Sequence, residues 1–410
     1  MKKILKTYKF RLYPNKTQEI LLSKTFGCAR FIFNQMLAER KEVYEQLKND
    51  KDTLFKYKYK TEKQYKEDYD WLKEVDSVAV QQSRVDLDEA YKNFFKSLSG
   101  KRKGKQMGLP NFKSKKTNRQ TFRTLNINNN IEINFENKIL KLPKLKWIKY
   151  SDDRIFNGII KNVTVEKTPT GKYFACILVE EFINTKIHQV NSKSKAIGLD
   201  YDSKNLFTSN ENKVSGYPRF FRKYEKKLAK EQRRLSRKVK GSNNRNKQRI
   251  KVAKVHEKIV NSRKDFHQKL STEIVRNYDI IGIETLNMQA MSQCLNFGKS
   301  VSDNGWGMFR TFLQYKLEDQ GKQLFVIDKW FPSSKMCNVC GCINKELTLA
   351  DREWTCDCGV THDRDLLASK NIKNFGIEQN RRSYGNFNAC GEILAQADSK
   401  KQEAQGFILG

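Results

Sequence analysis

The sequence predicts a multidomain protein of mixed α/β and α+β class, and three observations support this prediction. Helical patterns dominate residues 14 to about 95, short β-rich runs lie between residues 131 and 180, and strands alternate with helices from residue 196 onward. A chain of 410 residues allows about two or three domains of ordinary size. With 38% hydrophobic residues, the chain can also build a substantial core.

The first element is a strand over residues 7–13, because Tyr8, Phe10 and Leu12 alternate with basic residues until Pro14 ends the run. The later β-rich runs are its natural partners, and together they predict a small antiparallel barrel or sheet. These runs cover residues 131–135, 138–142, 159–165 and 173–180.

Two helices are predicted between these β-rich parts. Thr17 is a candidate N-cap for the first, and the second runs from about Val78 to Phe94. The Gly- and Lys-rich segment 99–116 follows and has little to bury, so it is a loop. Sequence alone leaves open whether this loop is merely solvated or contacts phosphates.

From Ala196 onward, strands and helices alternate, which predicts an α/β layer. The predicted strands cover residues 196–199, 206–209, 280–283 and 324–327, and the predicted helices cover 217–240, 244–278 and 308–320. Beyond about Gly376 the chain is polar and irregular, and we expect a disordered tail there.

Charge points to a polyanionic partner. Lys and Arg number 80 against 46 Asp and Glu, which gives a formal net charge of +34. A ribosomal-type or simply basic protein stays open on charge alone. The two long helices between residues 217 and 278 are basic with little Glu, which favours contact with nucleic-acid backbone over an ordinary solvated face. Their candidate contact residues are Arg233, Arg234, Arg237 and Lys238.

The cysteines and the N-terminus indicate the compartment. No apolar run approaches the length of a membrane span, and the basic N-terminus lacks an apolar signal segment, so we expect a cytoplasmic protein without a membrane partner. In that compartment, nine cysteines indicate metal binding or buried thiols rather than disulfides.

Three carboxylates form the candidate catalytic site. Asp200 closes the strand pattern AIGLD, Glu284 closes IIGIE, and Asp365 opens the helical pattern of HDRDLLASKNI. Carboxylates gathered at one sheet edge can hold Mg²⁺ or Mn²⁺ for phosphodiester cleavage, in a ribonuclease-H-like arrangement. Each residue alone could serve a turn or a helix end, and Asp202 and Asp363 are alternative ligands.

Four cysteines form a candidate zinc site. Cys337 and Cys340 are separated by two residues, and after fifteen more residues come Cys356 and Cys358, separated by one. Four thiolates complete a tetrahedral coordination shell, which indicates one structural Zn²⁺ rather than a catalytic one. Cys342 is a competing ligand.

These motifs resemble the TnpB proteins of insertion sequences, which are related to type V CRISPR nucleases. The resemblance rests on FPSSKMCNVCG, LTLADREWTCDCG and THDRDLLASKNI, in that order after GLD and GIE, and on KFRLYPNKTQEILLSKTFGCARFIFN, AYKNFFK, LPKL and SDNGWG. It implies an RNase-H-like RuvC nuclease domain with a zinc-ribbon insert and an N-terminal β-barrel wedge domain with a helical recognition insert.

The resemblance also implies domain limits. They are a wedge domain at 1–13 and 117–190, a recognition domain at 14–116, a RuvC-like domain at 191–335 and 361–380, a zinc insert at 336–360 and a disordered tail at 381–410. The family's catalytic Asp, Glu and Asp fall on Asp200, Glu284 and Asp365, while an Asn common two positions after the last Asp is Leu367 here. Ser77 and Gln81 match the part of the family that reads the motif flanking the target.

The function that these features imply is guided DNA cleavage at a single metal-dependent site, beside a short flanking motif. The implied partners are a guide RNA derived from the transposon end and double-stranded target DNA, bound by a monomer with its RNA near the nucleoid of a prokaryotic cell. Two alternatives remain open. One is a nuclease-inactive, RNA-guided repressor, and the other is a guide-independent nuclease or transposase.

Overall fold

The computed structural model describes residues 2–102, 104, 106–116, 119–183, 193–294, 298–348 and 350–384. The chain divides into two compact units, which are Met1–Asn184 and Thr185–Gly410. The mixed α/β content that the sequence predicts is confirmed in the second unit, and the first combines an antiparallel sheet with helices.

The first unit contains a seven-stranded antiparallel sheet. Its strands are β1 (Lys2–Tyr13), β2 (Gln120–Leu125), β3 (Glu132–Asn134), β4 (Ile139–Leu142), β5 (Lys146–Ser151), β6 (Ile159–Lys167) and β7 (Tyr173–Ile183). Their order is β2-β6-β7-β1-β5-β4-β3. Strand β1 therefore pairs with β7, as the sequence predicts, and also with β5, whose run was not predicted. Strand β1 begins five residues earlier than expected, and the run of β2 was not predicted either.

The edges of this sheet are β2 and β3, so backbone pairing among the described residues leaves it open rather than closed as in a barrel. In the connection from β2 to β3, the Asn126 side chain makes two hydrogen bonds to the backbone. Its amide donates to the Ile160 carbonyl oxygen at 3.0 Å and its oxygen accepts from the Ile131 amide at 3.1 Å. Side chains from both halves nevertheless share one core, which includes Phe122 and Leu140.

The helices of the first unit are α1 (Lys16–Leu47), α2 (Lys51–Lys56), α3 (Glu62–Asp68) and α4 (Ser77–Leu98), with a 3₁₀ turn at Asp70–Glu74. The prediction of Thr17 as the first N-cap is wrong. Asn15 occupies that position, and its side chain and that of Gln18 cap each other's backbone amides reciprocally. Leu22 and Phe26 of α1 then pack into the core of the sheet.

The second unit is built on a four-stranded sheet of order β11-β10-β8-β9. Its strands are β8 (Ala196–Asp202), β9 (Leu206–Ser209), β10 (Ile280–Glu284) and β11 (Gln323–Ile327), and a separate hairpin consists of β12 (Glu353–Thr355) and β13 (Thr361–Asp363). Strands β8, β10 and β11 are parallel, and β9 returns antiparallel beside β8. Strands β8 and β10 each bury a continuous apolar run, as strands covered on both faces do.

The helices of the second unit are α5 (Phe220–Ser236), α6 (Asn243–Asn277), α7 (Met288–Cys294), α8 (Gly298–Asn304), α9 (Trp306–Asp319) and α10 (Arg364–Tyr384). Helix α10 continues four residues past the predicted start of the tail at 381, because Ile377 and Asn380 are buried despite the polar composition. The rest of the predicted tail, residues 385–410, lies outside the described residues. None of the helices that the structure describes is long and apolar enough to cross a membrane.

Candidate active site

Asp200 and Glu284 lie side by side at the carboxyl ends of two parallel strands. Leu199 of β8 is paired with Ile283 of β10, so the residues that follow each of them are neighbours. Their carboxyl groups are close enough that the charge of Glu284 raises the pKa of Asp200. The Ser333 hydroxyl donates a hydrogen bond to Glu284, with 2.7 Å between Oγ and Oε1. Carboxyl ends of neighbouring parallel strands are a common location for ligand sites.

Helix α10 lies directly on the backbone of these strands because glycines face it. A Cβ atom on Gly198 would come within 2.0 Å of the Ser369 carbonyl oxygen, and one on Gly282 within 2.6 Å of the Ile372 carbonyl oxygen. Side chains alternate along a strand, so the residue two positions later points to the same face of the sheet. Asp200 and Glu284 therefore point to the face that α10 covers.

Asp365 approaches this pair from the first turn of α10. It precedes Ser369 by one helical turn, and Ser369 is the residue in contact with Gly198, so the turn carrying Asp365 lies toward the strand ends. Two arginines hold its carboxylate, since Arg352 Nη1 lies 3.2 Å from Oδ2 and Arg364 Nε lies 3.7 Å from Oδ1. Sequence reasoning missed Arg352, Arg364 and Ser333, although Arg364 lies between the two aspartates of HDRD.

Burial and mutual repulsion govern the electrostatics of the site. The pKa of Asp200 is raised well above its ordinary value, first by burial and then by the charges of Glu284 and Asp365, while Arg364 opposes the shift. Burial also raises the pKa of Glu284, partly offset by the hydrogen bonds from Ser333 and Asp200. The site thus concentrates negative charge that a proton or a cation must compensate.

The carboxylate oxygens of Asp200, Glu284 and Asp365 do not all lie as close together as the ligand atoms of one metal ion. Within the described part of the chain, the only group of three or more candidate ligand atoms within 4.8 Å of one another is the four-cysteine cluster. Asp365 is paired with Arg352 and Arg364 instead of sharing a cation with Asp200 and Glu284.

The alternative ligands have structural partners instead. Asp202 accepts hydrogen bonds from the Lys204 amide and the Asn205 side chain, both at 2.7 Å, and so stabilises the turn of the β8–β9 hairpin. Asp363 accepts from the Leu366 amide at 2.7 Å, as a residue at a helix N-terminus does. Asp202 and Asp363 therefore have defined structural roles, one in a turn and the other at a helix N-terminus.

The structure brings together the four cysteines that the sequence singles out. Cys337 Sγ lies 3.8 Å from Cys358 Sγ, and Cys340 Sγ lies 3.4 Å from Cys356 Sγ. A tetrahedral Zn²⁺ with Zn–S distances of about 2.3 Å requires S–S separations of about 3.8 Å, which these values approach. Cys342 is exposed and lies outside the cluster, although its carbonyl oxygen accepts a hydrogen bond from the Cys337 amide at 2.8 Å.

The surroundings of Cys337 favour a thiolate. Burial raises its pKa, but hydrogen bonds from the Cys340 and Val339 backbone and from His362 outweigh burial and lower it to about 6. His362 Nε2 lies 3.1 Å from Cys337 Sγ. Leu367, which stands where the resemblance implies an Asn, is buried against the same cluster and so belongs to the packing of the insert.

The zinc assignment predicts a difference between two cysteine variants. Cys356→Ser removes a clustered sulfur, so we expect the protein to lose its single zinc ion, because three thiolates leave the tetrahedral shell incomplete. Cys342→Ser is the matched control and should keep one zinc per chain. Elemental analysis of the purified proteins measures both. Full zinc content in Cys356→Ser with loss in Cys342→Ser would show that the ligand set is wrong.

The basic candidates lie on a helical hairpin formed by α5 and α6. Leu228 of α5 packs against Val255 and Ile259 of α6, which orients the remaining faces outward. Arg233, Arg234 and Arg237 are exposed and Lys238 is half-buried. Arg234 also pairs with Glu231, with 3.2 Å between Nη1 and Oε1. The hairpin therefore presents several cationic side chains on more than one face.

Ser77 and Gln81 are both exposed on α4, one turn apart, so they lie on one face of the helix. Asp76 caps this helix, since its Oδ1 accepts from the Val78 amide at 3.0 Å. The neighbouring Gln82 is buried. Of the two adjacent glutamines, Gln81 is thus the one that an external ligand can reach.

Three family models match parts of the chain. One described as "Probable transposase" matches residues 165–295, and one described as "Cas12f1-like, TNB domain" matches residues 306–372, a span that contains all four clustered cysteines and Asp365. One described as "Helix-turn-helix domain" matches residues 1–49, where the structure has β1 followed by the single 32-residue helix α1.

Relatives cover the whole chain. A protein of Streptomyces pristinaespiralis, named as a candidate RNA-guided DNA endonuclease, is 34% identical over 100% of this chain and 99% of its own length. InsQ of Escherichia coli K12, named in the same way, is 32% identical over 99% of each chain. The protein chain of a Cas12f1–sgRNA–target DNA complex, solved by cryo-electron microscopy, has the same fold with a TM-score of 0.54 and 14% identity, over 91% of this chain and 99% of that chain.

Proposed function

Because the chain belongs to the TnpB family, we propose that it is an RNA-guided DNA endonuclease of an insertion sequence. It cuts target DNA next to a short flanking motif with one metal-dependent site. The observation that carries this proposal is the pair of half-buried carboxyl groups, Asp200 and Glu284, at adjacent strand ends on the face covered by the helix that carries Asp365.

Asp200, Glu284 and Asp365 would hold the catalytic Mg²⁺ or Mn²⁺, since hard divalent ions prefer carboxylate oxygens. The raised pKa values of Asp200 and Glu284 support this, because a bound cation would compensate the negative charge that burial disfavours at both residues and would relieve the repulsion that adds to the shift of Asp200. When bound, such ions activate a water and stabilise the leaving oxygen of the phosphodiester. Ser333 orients the Glu284 carboxylate, and Arg352 and Arg364 hold the Asp365 carboxylate in place.

The four-cysteine cluster would hold a structural Zn²⁺ that fixes the insert between β11 and α10. Cys337 and Cys340 precede the β12–β13 hairpin, and Cys356 and Cys358 lie within it. The β13 strand runs directly into Arg364 and Asp365. The metal would therefore fix the backbone that leads into the first turn of α10, where Asp365 lies.

A guide RNA and double-stranded target DNA are the proposed partners, bound by one protein chain. The net charge of +34 suits a long heteroduplex, and the Cas12f1 relative was solved as a complex with sgRNA and target DNA. Within this function, the α5–α6 hairpin would contact nucleic-acid backbone. Ser77 and Gln81 would read base edges of the flanking motif, where glutamine can pair with adenine.

The backbone role of the hairpin predicts a uniform loss of affinity. Reversing the charge of Arg233 and Arg237 to Glu should weaken binding to all guides and targets alike, because phosphate contacts carry no sequence information. The slope of log K against log salt should flatten by about one unit for each phosphate that is no longer neutralised. Lys269→Glu on α6 is the control, since that lysine already pairs with Asp265 at 2.8 Å. Binding isotherms at several salt concentrations measure both variants. An altered flanking-motif preference with an unchanged salt slope would contradict the backbone role.

Sequencing the RNA that co-purifies with the protein tests the guided function. We expect one discrete, long RNA derived from the end of the element that encodes the protein. Heterogeneous cellular RNA would instead support the guide-independent nuclease or transposase. A discrete RNA with no cleavage of a matched target in Mg²⁺ would support the nuclease-inactive repressor.

A further inference from the structure

Trp330 is the most exposed large apolar side chain among the described residues of the second unit, with 80% of its surface accessible. A single exposed apolar residue needs no explanation by itself. What sets this one apart is its place. It lies in the loop that follows β11, and Ile327, the last residue of that strand, is paired with Glu284.

The loop is fixed on both sides of Trp330. Asp328 accepts hydrogen bonds from the Trp330 amide on Oδ1 at 2.9 Å and from the Phe331 amide on its carbonyl oxygen at 3.1 Å. The Phe331 ring packs against Phe375 of α10, with 5.6 Å between ring centroids. Hydrogen bonds and packing therefore hold the backbone in one conformation, while the neighbouring indole stays in solvent.

The next contact ties the loop to the candidate active site. Ser333 donates to Glu284, and its own carbonyl oxygen accepts from Asn371 of α10 at 2.7 Å. Three residue steps separate Trp330 from Ser333, so their Cα atoms are at most about 11 Å apart. The backbone that carries the exposed indole is thus tied, three residues further on, to a carboxylate that we place at the scissile phosphate.

The charge around the ring suits an anionic ligand with aromatic faces. Lys329 Nζ lies 4.3 Å from the centroid of the Trp330 ring. An aromatic ring beside a cation is the combination with which proteins bind unpaired nucleotides, because the ring stacks on a base while the cation contacts the phosphate.

We propose that Trp330 and Lys329 form a binding site for one unpaired nucleotide of the DNA strand entering the active site. The site rests on the proposed function, and it specifies single-stranded DNA as the form of substrate at the catalytic edge. The indole stacks on the base next to the scissile phosphate, and Lys329 contacts the phosphate backbone. An unpaired base is required, because a base inside a duplex already stacks on its neighbours.

Photocrosslinking tests the contact without depending on cleavage. The full-length protein with its co-purified RNA is mixed, in metal-free buffer, with an oligodeoxynucleotide that carries 5-iodouracil, and irradiated. We expect mass spectrometry to find the crosslink on the peptide that contains Trp330. It should disappear in Trp330→Ala and persist in Tyr315→Ala, which removes a part-exposed ring from α9 in the same unit.

Cleavage kinetics then test whether the contact contributes to the reaction. With the guide RNA and Mg²⁺, Trp330→Ala should slow single-turnover cleavage of a matched target by about 5- to 150-fold, the range expected for one stacked base. Trp330→Phe should recover most of the rate, and the affinity for guide RNA should be unchanged. An abasic nucleotide at the stacked position should slow cleavage by the wild type to a similar degree. It should cause no further slowing in Trp330→Ala.

Each other outcome overturns the inference. The stacking site would be excluded if the crosslinks mapped elsewhere or if Trp330→Ala cleaved at the native rate. It would also be excluded if the slowing of cleavage by an abasic nucleotide and the slowing by Trp330→Ala multiplied at every position of the nucleotide. A crosslink to guide RNA alone would assign the surface to RNA. If no crosslink formed and Trp330→Ala sedimented at a different rate from the wild type, the surface would be assigned to a protein partner. If the wild type crosslinks through Trp330 but cuts no matched target, the proposed function fails and the nucleotide site stands.

Discussion

Replacing Asp200 by asparagine is expected to reduce guided cleavage at least ~1,000-fold, which corresponds to about 4 kcal/mol of lost transition-state stabilisation. The change preserves size but removes the buried carboxylate beside Glu284, so the catalytic metal would lose a ligand. Binding of guide RNA and target should persist, because the cationic surfaces are untouched. Single-turnover cleavage and equilibrium binding measure the two effects separately.

The matched controls are Asp202→Asn and Asp363→Asn, which should cleave at rates close to the wild type. These residues stabilise a turn and a helix end, and the single side-chain oxygen of asparagine can still accept the backbone hydrogen bond from Lys204 or Leu366, although Asp202→Asn loses the one from Asn205. A near-native rate in Asp200→Asn, or a loss as large in Asp202→Asn, would assign the ligand role to the neighbouring residue.

Stability provides a second measurement on Asp200→Asn. Because the pKa of Asp200 is raised in the folded protein, the folded state binds more protons than the unfolded state above about pH 4, and stability falls as pH rises from there. Without divalent ions at neutral pH, the neutral asparagine should therefore raise the melting temperature. Mg²⁺ should stabilise the wild type more than the variant. A lower melting temperature in the metal-free variant would contradict the assigned electrostatics.

The second large effect is expected from Gly198→Ala. A methyl group at this position would lie 2.0 Å from the Ser369 carbonyl oxygen and 2.5 Å from the Lys373 amide nitrogen, so α10 must move away from β8. Overpacking against backbone costs about 3 kcal/mol. The unfolding transition of the second unit should therefore fall by about 6 to 12 °C in calorimetry. Cleavage should also be abolished, since Asp365 moves with α10.

Gly307→Ala is the control for this substitution, because nothing lies within 4 Å of the added methyl group and the residue belongs to helix α9. Alanine there should be neutral or slightly stabilising. Equal melting temperatures for Gly198→Ala and the wild type would mean that α10 does not rest on the backbone of β8.

The strands that carry the candidate site were predictable from the sequence. The approach of Asp200, Glu284 and Asp365 to one another was predictable only in part. Strand β9 and the start of β10 match their predicted limits, because short apolar runs bounded by polar residues define buried strands. The glycines two positions before Asp200 and Glu284 were the available signal for a closely packed helix. Arg352, by contrast, reaches Asp365 only through the folded insert, and no sequence pattern indicates that contact.

The other differences have local physical causes. Thr17 and Asn15 are both competent caps, and the reciprocal bond with Gln18 selects Asn15. Strands β2 and β5 alternate polar and apolar residues but are rich in Lys, Arg and Thr, so their short runs resembled loops. Cys342 was a credible ligand by spacing, and only the folded hairpin shows that its side chain points away from the other four sulfurs.

Cleavage of a plasmid by the purified protein with its co-purified RNA tests the central claim most directly. In Mg²⁺, we expect a plasmid that carries the guide-matched sequence beside the flanking motif to be cut. A plasmid with a scrambled target should stay intact, as should the matched plasmid when RNA is removed or Asp200→Asn is used. Cutting of both plasmids regardless of RNA, or no cutting of the matched plasmid, would contradict the account.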